Sequence, residues 1–419
     1  MNVSRQLPII KKYHFDNKYA LYKQYDDVFE VATLDRENQS IKHTLNIPEG
    51  LDKEKAKKWL CLQFSNHSLY PCHNDGDLLK QHKNDILQFQ MVKATAGIDL
   101  QKFNYSVRNT AFFLFHQFKD IRFKFESMSK KEERWIYLSN RAGLRYCKKG
   151  KYKHYRKIDI NSAYASFLQN RYYSLPYAKP IERPISHLTL QANEKFNYGL
   201  YHVEITIPEG VPYSPLFNIN KNNIYTHWDL YVAKKVGYKL TLKSETYLYY
   251  KKRFQNNKMF GKFIHRLYKY KHMSPVIKAI MNVLWGAMCQ KKVNHIVVKK
   301  GSEYDLNDQM KNFVFDPKTG TCSFDDVDKD NYFLYDACRI GPFVTSYCRY
   351  HLYNMLKGHE DDICYIHTDG FIIKDDGNLH KHFRFGHGLG QVKYERIFKD
   401  HPKTTKFKIK NSLNMKRYR

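Results

Sequence analysis

No apolar run in the chain approaches the ~20 residues that a membrane-crossing helix requires, so no membrane partner is expected. The opening "MNVSRQLPIIKKYHF" also lacks the apolar stretch of a secretory signal. The eight cysteines include no C-x-x-C pair, which predicts reduced thiols and a cytoplasmic setting. Cys61, His67, Cys72 and His73 lie near one another but without a recognised zinc spacing. Internal repeats, low-complexity tracts and Gly/Ser linkers are missing as well. Carboxylates are scarce: 41 Asp+Glu face 71 Lys+Arg, leaving a net charge of +30. That imbalance argues against an ordinary small-molecule enzyme and for a polyanionic partner. The plain alternative is coding bias toward lysine and asparagine.

What is present is ordinary globular text, 42% hydrophobic and 27% charged, with an unusual wealth of 34 Tyr and 27 Phe. A chain of 419 residues is expected to form about two to three domains. "KYALYKQYDDVFEVATL" is strand-like and "EKAKKWLCLQF" helical. "YRKIDINSAYASFLQN" reads as a buried strand running into a helix, and "LYHVEITIPEG" alternates with period two up to a turn. "YLYYKKRFQNNKMFGKFIHRLYKYK" and "PVIKAIMNVLWGAMCQ" have helical spacing and are joined by "HMSP". "GPFVTSYCRYHLYNMLKG" is a further amphipathic helix leading into "CYIHTDGFII", a hairpin whose turn is Thr368-Asp369-Gly370. This order predicts an α+β fold with an antiparallel sheet.

Three segments carry candidate chemistry. "KIDINSAYASF" ends a strand at Asp159 and turns through Ser162 and Tyr164. "KAIMNVLWG" places Lys278, Asn282 and Trp285 on nearby helical turns, and "IHTDG" brings Asp369 to a hairpin tip. A carboxylate on a strand and another on an adjacent hairpin suit hard cations such as Mg²⁺ (or Mn²⁺). A pair of such ions stabilises the attacking and leaving oxygens of phosphoryl transfer. A nearby lysine neutralises a triphosphate. Taken singly, the same residues have bland readings. The aspartates cap turns, Tyr164 and Trp285 pack, the lysines form a solvated face and His367 is a polar strand residue.

Taken in order, these motifs resemble the family B DNA polymerases, in particular the branch of protein-primed phage and organellar-plasmid enzymes. "DINSAYAS" is similar to the first palm motif D-x-x-S-L-Y-P-S, "KAIMNVLWG" to the fingers motif K-x-x-x-N-S-x-Y-G, and "IHTDG" to D-T-D-S/G. "GLYHVEITIPEG", "WDLYVAKKVGYKLTLKSETYLYY", "FGKFIHRLYKYK", "ACRIGPFVTSYCR" and "LGQVKYE" resemble intervening segments, so the likeness covers about 136–400. The resemblance implies the polymerase right-hand architecture, with an antiparallel-sheet palm, helical fingers and a reduced thumb. The implied divisions are an N-terminal domain at 1–135, palm at 136–245, fingers at 246–298, palm again at 299–400 and a basic stub at 401–419.

It further implies that Asp159 and Asp369 are the metal-binding catalytic carboxylates, with the Ile160 carbonyl completing the ligands of two ions. Ser162 lies near the triphosphate, and Tyr164 stacks beneath the sugar and excludes a 2′-hydroxyl. Lys278 contacts the phosphates, helped by Arg266, Lys269 or Lys271, and Asn282 supports the base-pair pocket. His367 and Thr368 take supporting positions, His367 by hydrogen bonding. Asn140 and Gly143 of "SNRAG" match the template-gripping Y-x-G-G/A motif, and either Lys408 or Lys416 matches the primer-binding K-x-Y motif. The implied partners are a DNA primer–template and deoxynucleoside triphosphates. A protein primer or a replication accessory protein is suggested only by the branch, as is a host cytoplasm for a phage- or element-encoded chain.

The departures are Ala163 and Ala165 for Leu and Pro, Val283 and Trp285 for Ser and Tyr, Asn140 for Tyr, and His367 for the first aspartate of the third motif. For an exonuclease Asp-x-Glu strand the candidate is Asp35-Arg36-Glu37, in turn-like text, so proofreading is not expected. Residues 1–135 then read as a degenerate exonuclease, a DNA-binding domain or a priming module. Two other readings stay open: priming or template-independent nucleotide transfer, and a decayed polymerase that only binds DNA.

Overall fold

The computed structural model describes residues 18–25, 28–35, 37, 39–49, 53–64, 67–72, 77–119, 123–192, 195–298, 311–316, 321–328, 331–395, 407–411 and 414–417. These fall into two compact units: residues 120–261 with 285–419, and residues 8–119 with 262–284. Each mixes helices with largely antiparallel sheet.

The larger unit is organised by a five-stranded sheet in the order Val392–Glu395, Tyr155–Ile160, Gly370–Lys374, Ile363–Thr368, Leu144–Cys147. Every neighbouring pair is antiparallel. Because strand side chains alternate, one face receives Leu144, Ile158, Ile160, Ile366, Phe371 and Val392, which share a core with Leu352, Tyr353 and Leu356 of the helix Gly341–Leu356. The opposite face carries a polar row read directly from the register: Lys393, Asp159, Gly370, His367, Arg145.

A second sheet is built on Gly199–Thr206, paired with Ile224–Thr226, Lys239–Leu242 and Thr246–Tyr249. A separate three-stranded antiparallel sheet comprises Val293–Val298, Thr321–Val327 and Lys311–Asp316. The strands Phe407–Asn411 and Asn414–Arg417 form a hairpin on Gly150–Tyr152. The expected helix from "YLYYKKRF" onward is corrected. Thr246–Tyr249 and Arg253–Gln255 are strands, and the helix begins with a π-helical turn at Asn257–Gly261 that runs directly into the α-helix Lys262–Tyr268. Aromatic and β-branched residues at Thr246–Tyr249 satisfy a pleated, half-buried surface as readily as a helix face.

Buried ion pairs tie the connections to this frame. Asp229 closes a capping box with Thr226 at the start of the helix His227–Lys235. The same carboxylate accepts both arms of Arg349, at 3.0 and 3.1 Å, while Arg349 Nη1 donates to the Ala142 carbonyl at 3.0 Å. Arg141 Nη2 approaches Asp229 at 2.7 Å as an ion pair without hydrogen-bond alignment, and its guanidinium lies 4.9 Å from the Tyr225 ring centre. Both arginines, and the amide and hydroxyl of Thr226, hold the Asp229 carboxyl far below the usual range in spite of its burial. The loop 139–143 is thus fastened by charge to the helices His227–Lys235 and Gly341–Leu356. Likewise Glu132, fully buried, takes a two-armed contact from Arg339 at 3.0 and 3.1 Å and the Tyr250 hydroxyl at 3.2 Å.

The smaller unit has a four-stranded sheet in the order Ser40–Asn46, Val28–Leu34, Lys18–Gln24, His67–Pro71. The first three strands form an antiparallel meander, and His67–Pro71 runs parallel to Lys18–Gln24 after the helix Lys53–Gln63. Ala20, Phe29, Val31, Ala56 and Leu60 fill one side; Tyr19, Leu21, Ala32 and Leu78 fill the other. Asp35 follows the second strand, and its Oδ1 accepts the amides of Glu37 and Gln39 at 2.9 and 2.8 Å, so it closes a turn. Arg36 and His73 lie outside the described residues. The Cys72 thiol donates to Gln81 at 2.8 Å, and no cluster of three metal-ligating side chains occurs among the described residues. Nor is any helix among them long and apolar enough to cross a membrane.

Asp229→Ala would leave two buried guanidinium groups without their counter-charge. The expected loss is about 3–5 kcal/mol of unfolding free energy in urea titrations. A loss under about 1 kcal/mol would show that the arginines find other partners.

Candidate active site

The hairpin pairs His367 with Gly370, which leaves Thr368 and Asp369 as its two-residue loop and makes Gly370 the first residue of the return strand. Thr368 has φ 62°, a left-handed value that costs a side chain roughly 1–2 kcal/mol. Ser162, three residues after Asp159, has φ 53°. Strained backbone therefore stands beside each carboxylate. The turn after Asp159 is sewn down by Asn161, whose side chain donates to the carbonyls of His387 and Gly388 at 2.6 and 3.0 Å.

Gly370 is the register partner of Asp159, and the Ile160 amide donates to the Asp369 carbonyl at 3.0 Å. These contacts set the two carboxylates side by side. Burial, and then the charge of Asp159, raise the Asp369 carboxyl to about 6. Burial and Glu395 raise Asp159 as well, against the pull of Lys393. Two neighbouring, half-buried carboxylates with excess negative charge and hard oxygen donors fit divalent cations of the magnesium class.

Tyr164 follows in the helix Ala163–Gln169, and its ring packs 4.8 Å from that of Trp285. Burial, with contributions from Cys348 and Asp369, pushes its phenol well above the ordinary value. His367 stands on the same sheet face as Asp159, across Gly370, and stacks in parallel with Tyr365 at 6.4 Å. Among the described residues no hydrogen bond joins its imidazole to Asp369.

Gly143 lies under the hairpin tip, where an added Cβ would come within 2.7 Å of the Thr368 Cα. A glycine is needed there for close backbone approach. Asn140 is exposed at the end of the helix Lys130–Ser139. Lys408 and Lys416, alternatives in the sequence, are direct Cα partners across one hairpin.

The smaller unit carries Arg266 on the helix Lys262–Tyr268, with its guanidinium 4.7 Å from the Phe118 ring centre, and Lys271 just beyond, 5.1 Å from the Tyr268 ring centre. Lys278 and Asn282 are exposed, one turn apart on the helix Pro275–Met288. Two residues that motif reading passed over, Lys393 and Glu395, border the carboxylates. Lys393 Nζ lies 3.2 Å from Asp159 Oδ2 and 3.2 Å from Glu395. The alternation in "VKYE" was their sequence signal, because it places both on the face that Asp159 occupies.

Ionising Asp369 costs the cation-free protein stability. Its carboxyl takes a proton near pH 6 when folded and near pH 3.9 when unfolded, so the folded state binds more protons between these values. Stability therefore falls as pH rises through that window, and the full cost is present above it. Asp369→Asn removes the cost. After discounting for solvent, a gain of roughly 1–2 kcal/mol is expected at pH 8 and none at pH 4, by denaturant titration in EDTA. Equal stabilities at pH 8 would contradict the crowding of the two carboxylates.

No family model matches the chain. It aligns at 25% identity over 284 residues, 59% of its length, with a protein of Neurospora intermedia named "Probable DNA polymerase". The chain spans only 28% of that relative. Phi29 DNA polymerase complexed with primer-template DNA and incoming nucleotides is similar in structure, with a TM-score of 0.53 and 15% identity over 94% of this chain and 71% of that one. The same polymerase complexed with single-stranded DNA gives 0.53 and 15% over 93% and 70%. The chain has the fold of phi29 DNA polymerase.

Proposed function

We propose that the chain is a DNA-directed DNA polymerase that adds deoxynucleotides to a primer 3′-hydroxyl, without proofreading. The observation that carries this reading is the pair Asp159 and Asp369, set side by side by strand register at one edge of a polymerase-fold sheet's polar row. The 3′-hydroxyl oxygen bonds to the α-phosphorus of the nucleotide as the bond to pyrophosphate breaks. Asp159, Asp369 and the Ile160 carbonyl would hold the divalent ions. When bound, two such ions stabilise the attacking and leaving oxygens.

Tyr164, packed against Trp285, is assigned by motif resemblance to the sugar, where it would exclude a 2′-hydroxyl. Ser162, Lys278 and Asn282, with Arg266 and Lys271, are assigned to the nucleotide by motif resemblance. Asn140, Gly143, Lys408 and Lys416 are assigned to DNA in the same way. The net charge of +30 supports salt-sensitive, sequence-independent binding of a nucleic-acid backbone. Absence of proofreading is supported by Asp35, whose carboxylate is committed to a turn.

Single-nucleotide primer extension in Mg²⁺ tests the assignments. Asp159→Ala and Asp369→Ala are expected to fall to background while keeping the wild-type circular dichroism. His367→Ala should retain a measurable fraction of the rate, because its ring makes no hydrogen bond to Asp369. Near-normal extension by Asp369→Ala would sink the reading. Tyr164→Val should raise ribonucleotide use relative to deoxynucleotide by about 10- to 200-fold, the range for removing one steric contact. An unchanged ratio would remove Tyr164 from the sugar.

A further inference from the structure

The two oxygens of Asp159 face different ways. Oδ2 is 3.2 Å from Lys393 Nζ. Oδ1 is turned to the other side, 3.5 Å from the place a Gly370 Cβ would occupy, toward the strand that follows Asp369. Glu395 is divided in the same manner, with Oε1 3.2 Å from Lys393 and Oε2 3.1 Å from Lys157. A line of alternating charge, Lys157, Glu395, Lys393, Asp159, thus runs along two paired strands and stops at Asp369, where like charges meet. Lys393 is 39% exposed, so it keeps access to water while holding two carboxylates.

We propose that Lys393 is a positioning residue that tethers Asp159 through Oδ2 and acts as a resident counter-charge limiting the affinity of Asp159 and Asp369 for divalent cations. This rests on the reading that those two carboxylates hold such ions. An ammonium beside the carboxylate repels an arriving dication and occupies one of its oxygens, leaving Oδ1 for the ion. Lysine suits the task because its compact charge sits on a flexible stem and can swing onto Glu395 alone. Glu395 keeps the ammonium at the site when it moves. Cation binding at the pair is thereby an exchange of one positive charge for another, and it is weaker than two bare carboxylates would give.

The test is a Mn²⁺ titration of the full chain, without DNA or nucleotide, following free Mn²⁺ by electron paramagnetic resonance. Lys393→Met is expected to bind Mn²⁺ roughly tenfold more tightly than wild type, an effect of the size a lost neighbouring charge produces in partly screened surroundings. Lys393→Arg keeps the charge and should stay within about twofold of wild type, by the same electrostatic argument. Asp159→Asn should abolish the tight site. Affinity in Lys393→Met equal to or weaker than wild type would overturn the proposal. Should that variant fail to fold, Glu395→Gln decides: it leaves Lys393 wholly to Asp159 and is expected to bind Mn²⁺ several-fold more weakly, and unchanged binding overturns the proposal. The polymerase reading fails separately, if wild type binds Mn²⁺ yet extends no primer.

Discussion

The antiparallel pairing of Gly370 with Asp159 is the contact on which the rest of the site depends. It places Asp369, one residue earlier, beside Asp159 and fixes which face each strand turns to the core. A slip of one residue would carry Asp159 into the apolar layer and bring Ile158 or Ile160 out. The pairing is held from both sides. Phe371 and Ile158 share the core behind the sheet, and the Ile160 amide reaches the Asp369 carbonyl at 3.0 Å. In front, the left-handed backbone at Thr368 and Ser162 keeps both turns tight, at a cost met by the bonds around them.

A strongly basic chain with few carboxylates places some of them at points of leverage. Asp229 and Glu132 are buried against arginines, where each fastens a loop or helix to the frame. Asp159 and Asp369 are the opposite case, crowded against each other, with Lys393 close by as compensation. The contrast is physical: an aspartate flanked by two guanidinium groups is inert, whereas one pushed upward by burial and then by a neighbouring carboxylate has an unmet need for cations. The same buried Asp229 also orders the loop that ends at Gly143, whose missing side chain lets the hairpin tip settle.

Much of this was legible from the residues. Period-two text at "LYHVEIT" became the strand Gly199–Thr206, and "EKAKKWLCLQ" lies within the helix Lys53–Gln63. "PVIKAIMNVLWGAM" became the helix Pro275–Met288 and "GPFVTSYCRYHLYNML" the helix Gly341–Leu356. Asp159 at a strand end and Asp369 at a hairpin tip could be named in advance because turn chemistry marks both. Their adjacency was expected only through the family resemblance, since register is settled by partners remote in sequence. The same limit hid Lys393 and Glu395, which reach Asp159 only through a strand pairing. It also hid the Asp229–Arg349 clamp, whose members are 120 residues apart. "YLYYKKRF" misled for another reason, because tyrosines suit a strand as well as a helix and only the pairing of Thr246–Tyr249 with Gly199–Thr206 decides.

The central claim is that this face of the sheet directs templated addition of deoxynucleotides. Its most direct measurement is single-turnover incorporation by the wild-type chain on a primed template with one defined templating base, each deoxynucleotide supplied alone with Mg²⁺ or Mn²⁺. The account predicts extension with the complementary nucleotide, little with the other three, and none without template. Extension indifferent to the template, or DNA binding with no extension under either metal, would contradict it.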